Sequence, residues 1–173
     1  MEEERNMAGT RMKRVLIIGC PGSGKSTFAR GLHEKTGILL IHLDQIYHLP
    51  DRTTVSRLEF DQKLSEILRK EAWILDGNYS RTMKIRLQAC DTVFFLDFPL
   101  EDCLEGAISR IGKKREDFPW VEAKLDPEFR QFILDFQTKT RPGIYELLNG
   151  VQRDIRVVIF HSRREADDYL DHL

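Results

Sequence analysis

Val15-Leu16-Ile17-Ile18-Gly19-Cys20-Pro21-Gly22-Ser23-Gly24-Lys25-Ser26-Thr27 decides the fold. Its first four residues are an unbroken apolar, β-rich run, as suits a strand covered on both faces, and Gly19 ends it. From Gly19 to Ser26 the residues fit G-x-x-x-x-G-K-[ST], the phosphate-binding loop (P-loop) that joins a strand to a helix. Phe28, Ala29 and Leu32 then keep helical spacing as far as Gly37, a residue that tolerates the left-handed conformation after a helix end. Glycines in such a loop let main-chain N–H groups converge on phosphate oxygens, and the helix aims the positive end of its dipole at them. Gly19, Pro21, Gly22, Ser23 and Gly24 are thus expected to cradle a nucleoside triphosphate, Lys25 to reach its β- and γ-phosphates, and Ser26 to ligate Mg²⁺. Thr27 is either an α-phosphate contact or an idle hydroxyl in the first helical turn.

Working outward, apolar runs of strand length alternate with helical periods, which predicts an α/β fold with helices flanking a parallel sheet. Ile38 to Leu43 reads as a second strand, Trp73-Ile74-Leu75 as a third ending at Asp76-Gly77, Val93 to Leu96 as a fourth ending at Asp97, and Ile155 to Phe160 as a fifth. Ser56-Arg57-Leu58-Glu59 is a capping box, followed by Phe60, Leu64, Ile67 and Leu68 on one helix face to about Lys70. After Pro99 the set Leu100, Cys103, Leu104, Ala107, Ile108, Ile111 predicts a helix to Gly112. Asp126-Pro127 starts another, with Phe129, Phe132, Ile133 and Phe136 on its buried face, and Pro142-Gly143 should interrupt before a shorter helix to Leu148. Ser162 to Glu165 caps the last. Lys113 to Trp120 is charged and aperiodic, so it reads as an exposed loop with an aromatic tip, a candidate lid over about 112–126.

At 173 residues the chain is one domain's worth of protein, here 13–173 after a mobile leader over 1–12. With 27 Lys plus Arg against 28 Asp plus Glu the net charge is −1, so no global excess draws it to nucleic acid or an anionic membrane. An apolar content of 41% is too high for a disordered chain. No run approaches the roughly 18 apolar residues of a membrane helix. The acidic start does not read as a secretory signal, and three scattered cysteines suit a reducing cytoplasm. Oligomeric state is left open.

In a parallel sheet the active face lies beyond the carboxyl ends of the strands, where Asp44, Asp76 and Asp97 all fall. Asp76 is the choice for the acid that holds Mg²⁺, through water. Asp97 has the same pattern but also suits the N-terminal dipole of the helix that follows. Asp44 is either the general base for a hydroxyl acceptor or the cap of a turn over Leu43 to Ile46. His42 and His48 bracket it, and a lone His is more often a satisfied structural residue than a catalyst.

The P-loop, Trp73 to Thr82 and Phe95-Leu96-Asp97-Phe98-Pro99 together resemble the adenylate-kinase-like P-loop kinases. Leu43 to Pro50 and Asp76-Gly77-Asn78-Tyr79 more narrowly resemble the DNA topology modulation proteins. The resemblance implies a three-layer sandwich with a five-stranded parallel sheet of order 2-3-1-4-5, ATP and Mg²⁺ on the P-loop, and an ATP-dependent phosphotransferase with a small-molecule or nucleotide acceptor under a lid. Where adenylate kinases have Asp-Gly-Phe-Pro-Arg-Thr, this chain has Asp76 to Thr82, one residue longer. By that match Arg81 would grip an acceptor phosphate, and Arg110, with Arg115, Arg130 and Arg141, would stand for the lid arginines. The adenylate-kinase AMP-binding pattern is missing after the second strand. A regulatory NTP-binding protein acting on DNA through Lys113, Lys114, Arg115, Arg163 and Arg164, or a nucleotide-dependent interaction module without turnover, is the alternative.

Overall fold

The computed structural model describes residues 12–173. Strands β1 (Arg14–Gly19), β2 (Leu40–His42), β3 (Trp73–Asp76), β4 (Thr92–Leu96) and β5 (Arg156–Phe160) form one parallel sheet of order β2-β3-β1-β4-β5. Register pairs Ile17 with Asp76 and Gly19 with Leu96, so the P-loop, Asp76 and Asp97 emerge together at the carboxyl edge of the sheet. The central strand is completely buried from Val15 to Ile18, as its apolar run demands, whereas β5 lies at an edge and exposes Arg156 and Val157.

Among the described residues eight α-helices cover the sheet: α1 (Lys25–Thr36), α2 (Leu43–Tyr47), α3 (Arg57–Leu68), α4 (Ser80–Ala89), α5 (Leu100–Ser109), α6 (Pro127–Asp135), α7 (Arg141–Asn149) and α8 (Arg163–Asp171). Adjacent residues of a strand face opposite ways. Phe94 packs on Phe28 of α1 and Tyr169 of α8, while Phe95 packs on Tyr145 of α7, so both faces of the sheet carry helices. The capping box at Ser56 forms, Asp126 accepts from the backbone N–H groups of Glu128 and Phe129, and Ser162 caps α8.

Several expectations need correction. The second strand is three residues long because Leu43 already opens α2. Helix α5 stops at Ser109, short of Gly112, and leaves Ile108 55% exposed. Phe132 is likewise exposed, the buried face of α6 being carried on by Ile133 and Phe136. Pro142-Gly143 does not interrupt: a π-helical segment, Phe136–Thr140, runs into α7, and Pro142 sits in the first turn, where its missing N–H costs nothing. The 113–120 stretch is only partly exposed, with Asp117 buried and Phe118 and Trp120 packed on His48. Helix α4 has no counterpart in the sequence reading. Residues 1–11 of the expected leader lie outside the described residues, and Met12 is buried in the core. Among the described residues no helix is long and apolar enough to cross a membrane.

Candidate functional site

The P-loop takes its shape from two glycines in the left-handed region, Gly22 at φ 85° and Gly24 at φ 90°. Gly22 rests directly on α5. A Cβ on it would lie 2.0 Å from the Cys103 carbonyl oxygen, and a Cβ on Gly106 would lie 1.9 Å from the Gly22 oxygen. Within the loop the Ser23 N–H donates to the Cys20 oxygen at 3.0 Å. Helix α1 begins at Lys25 with no side-chain cap, so its first N–H groups face the loop for an anion to accept. The Lys25 ammonium reaches back to the Cys20 oxygen at 3.4 Å. Hydrogen bonding to Cys103 and burial push the Cys20 thiol up, which keeps it protonated.

Beneath the start of α1 lies Asp76. Its Oδ2 accepts from the Ser26 hydroxyl at 2.6 Å and from His42 Nδ1 at 2.7 Å. Burial pushes this carboxyl up, but the hydrogen bonds from His42 and Ser26 and the charge of Lys25 outweigh it and hold the group below the ordinary carboxylate value. The other oxygen, Oδ1, is buried and has no hydrogen-bond partner among the described residues. An ionised carboxylate with an orphan oxygen beside a P-loop hydroxyl fits Mg²⁺, a hard cation bound by one or two carboxylates together with substrate phosphates. His42 thus serves Asp76, a role its sequence neighbours did not reveal.

Asn78, two residues on, clamps the P-loop to β3. Its Oδ1 accepts from the Gly19 N–H at 3.0 Å and its Nδ2 donates to the Gly19 oxygen at 2.7 Å. The segment that carries Asn78 is itself held by Arg86 of α4, a completely buried guanidinium that donates to the carbonyls of Gly77, Asn78 and Tyr79 and to Thr82 Oγ1. Burial pulls Arg86 down to about 10. Tyr79 sits at φ 37° and donates its hydroxyl to Asp44 Oδ1 at 2.6 Å. Burial and the Asp44 charge push this phenol up, so it stays a donor.

A cleft of about 860 Å³ opens over the P-loop, large enough for a nucleotide. Gly22, Gly24, Lys25, Ser26, Thr27 and Arg110 all line it. Arg110 Nε is buried without a partner among the described residues, and burial and the neighbouring Arg115 lower its basicity. A half-buried cation with an open donor is suited to an incoming anion. Lys113, Lys114 and Arg163, expected on a nucleic-acid surface, line this cleft too. Asp117 comes down from the far side: its Oδ2 lies 3.2 Å from Ser26 Oγ, with Arg115 at 3.6 Å and Arg30 at 4.0 Å. A larger cavity of about 1060 Å³ between α4 and α7 contains no P-loop residue.

Other expected residues are placed elsewhere. Arg81 is held by Asp61 of α3 through bonds of 2.7 and 3.1 Å, with its side chain 46% exposed. Asp97 accepts both a bidentate pair from Arg141, at 2.7 and 2.8 Å, and the Tyr145 hydroxyl. Asp97 and Arg141 thus neutralise each other at the end of β4. Thr27, although it lines the cleft, is exposed and accepts from Arg30.

No family model matches the chain. Over 88 residues, half of its length, the chain is 33% identical to adenylate kinase of Thermotoga neapolitana and 32% identical to that of Thermotoga petrophila. It spans 39% of these curated relatives, about two fifths of their length. A shikimate kinase from Acinetobacter baumannii solved with shikimate superposes over 95% of this chain and 92% of that one, with a TM-score of 0.63 at 18% identity. A gluconokinase from Sinorhizobium meliloti does so over 94% and 89%, with a TM-score of 0.57 at 14% identity. At these identities the likeness is one of fold, and the fold is that of the P-loop kinases.

Proposed function

We propose that this chain is a phosphotransferase that moves the γ-phosphoryl group of Mg-ATP to a small acceptor held beneath the 112–126 loop, which acts as its lid. The observation that carries the reading is the 2.6 Å contact between Ser26 of the P-loop and the orphan-bearing carboxylate of Asp76. Such chemistry is chiefly positioning and charge stabilisation. The P-loop amides and Lys25 hold the β- and γ-phosphates, and Arg110 offers its open donor to charge that develops on the transferred group. Ser26 and Asp76 would hold Mg²⁺, which would supply charge neutralisation at the phosphate oxygens. Asn78 and Arg86 fix the loop from behind and so act as positioning residues.

Two acceptor classes stand behind the relatives: nucleotides for the adenylate kinases, and small hydroxylated acids for the shikimate kinase and gluconokinase. The structure favours a hydroxyl. Arg81, the side chain an acceptor phosphate would need, is engaged by Asp61, whereas Asp44 is a half-buried carboxylate held in place by Tyr79 and ready to take an alcohol proton. ADP release should therefore depend on a hydroxylated small molecule in a panel of sugar acids, nucleosides and nucleoside monophosphates. Asp44→Asn should abolish transfer to a hydroxyl but only weaken transfer to a phosphate. Hydrolysis indifferent to every acceptor contradicts the reading.

The resemblance to the topology modulation proteins supplies the second reading, an NTP-dependent regulator of DNA. It requires duplex binding that falls steeply with salt. The placement of Lys113, Lys114 and Arg163 around the cleft speaks for phosphate of a nucleotide instead. Three buried free cysteines agree with a cytoplasmic protein.

A further inference from the structure

Asp117 belongs to a stretch whose composition announces an exposed loop, yet its side chain is only 6% exposed. Burying a carboxylate is costly unless it is paired and hydrogen-bonded. Asp117 is ion-paired with Arg115 and Arg30 but accepts a hydrogen bond from neither. Those arginines stand at 3.6 and 4.0 Å, beyond hydrogen-bond reach, and among the described residues its one close polar partner is Ser26 Oγ at 3.2 Å. That hydroxyl has a single proton, and the shorter contact, 2.6 Å to Asp76, claims it. Two buried carboxylates therefore converge on one hydroxyl oxygen without a proton between Asp117 and Ser26, and Asp76 Oδ1 is left unpartnered beside them. Like charges so placed repel unless a cation joins them. Carboxylates and a hydroxyl around one point are hard oxygen donors, the donor set of Mg²⁺ or Mn²⁺.

We propose that Asp117, carried in by the lid, joins Ser26 and Asp76 around the divalent cation, directly or through water, so that lid closure and cation capture are a single event. The assignment rests on the Mg-nucleotide reading above and adds to it. It gives the lid a role besides presenting arginines: an open lid leaves the cation with Ser26 and Asp76 alone, and Arg30 and Arg115 keep the Asp117 charge tolerable until the cation arrives.

The test is a Mn²⁺ titration followed by electron paramagnetic resonance, with the β,γ-imido analogue of ATP present, so that no turnover is needed. Wild type is compared with D117N, D117A and, as a charge control on the adjacent residue, E116Q. Mn²⁺ affinity should fall about 10–100-fold in both Asp117 variants and less than about twofold in E116Q. Two substitutions, each checked by its thermal transition without metal, guard against one that does not fold. Unchanged Mn²⁺ affinity in a folded Asp117 variant overturns the assignment alone. So does tighter binding of the analogue with Mn²⁺ affinity unaltered, which would make Asp117 an occupant of the phosphate position that nucleotide must displace. Failure of the wild type to take up Mn²⁺ and analogue together removes the phosphotransferase reading, and the assignment with it.

Discussion

Gly106→Ala offers a sign that helix propensity alone gets wrong. Both Gly106 and Gly143 lie inside helices, α5 and α7, and in an exposed helix interior Ala is preferred to Gly by about 0.5–1 kcal/mol. At Gly143 a Cβ meets nothing within 4 Å, so G143A should gain that amount. At Gly106 the Cβ would sit 1.9 Å from the Gly22 carbonyl oxygen, 1.1 Å inside the 3.0 Å that real Cβ atoms respect, and the atom it meets is backbone. Overpacking of this kind costs about 1–3 kcal/mol and occasionally more, which exceeds the propensity gain. With about 2–4 °C per kcal/mol for a domain of this size, G143A should melt about 1–4 °C above the wild type and G106A several degrees below it. Differential scanning calorimetry reads both. Because G106A relieves its clash by moving Gly22, it should also weaken nucleotide binding, whereas G143A should not. A G106A protein as stable as G143A, with unaltered nucleotide affinity, would refute the claim that α5 braces the P-loop.

Lys25→Met should leave the fold intact and lower phosphoryl transfer by about 10²–10³-fold, read in the coupled ADP assay, because a phosphate-directed donor is lost. Asn78→Ala strands the Gly19 N–H and carbonyl that the amide satisfies, and should cost about 1–3 kcal/mol in a urea titration together with a loss of nucleotide affinity. Arg86→Met should cost about 3 kcal/mol or more, since the Gly77, Asn78 and Tyr79 carbonyls all lose their donor. The Asp76 and Asp97 carboxyls are both held below the ordinary value of 3.8, so the stability they confer is present above that pH and drains away as the pH falls through their lowered values. Urea midpoints should drop across that acid range, and less steeply in D97N.

The P-loop, the central strands and the capped helices were legible because each rests on local chemistry: glycines at the turn, an unbroken apolar run in β1, and Ser56 with Glu59 at α3. Helix α4 was not, and its residues explain why. Its buried face mixes Met83 and Leu87 with Thr82 and a completely buried Arg86, so the apolar period is masked by a residue whose burial depends on carbonyls presented by a neighbouring loop. Asp76 was readable from its place at the end of β3, but its partner His42 comes from β2, 34 residues away, and only the parallel register Asp76↔His42 brings the two together. Asp117 is the extreme case. A charged run looks solvated, and nothing local marks which of its acids folds inward across 91 residues to Ser26. Arg81 shows the converse, since the resemblance assigns it an acceptor phosphate and α3 supplies Asp61 first.

Isothermal titration calorimetry of Mg-ATP into the folded chain bears most directly on the P-loop as a triphosphate site. Saturable heat, lost in the Lys25 variant and accompanied by thermal stabilisation of about 2.7 kcal/mol at one hundred times the dissociation constant, is the predicted result. No heat from a protein that still melts cooperatively would contradict it.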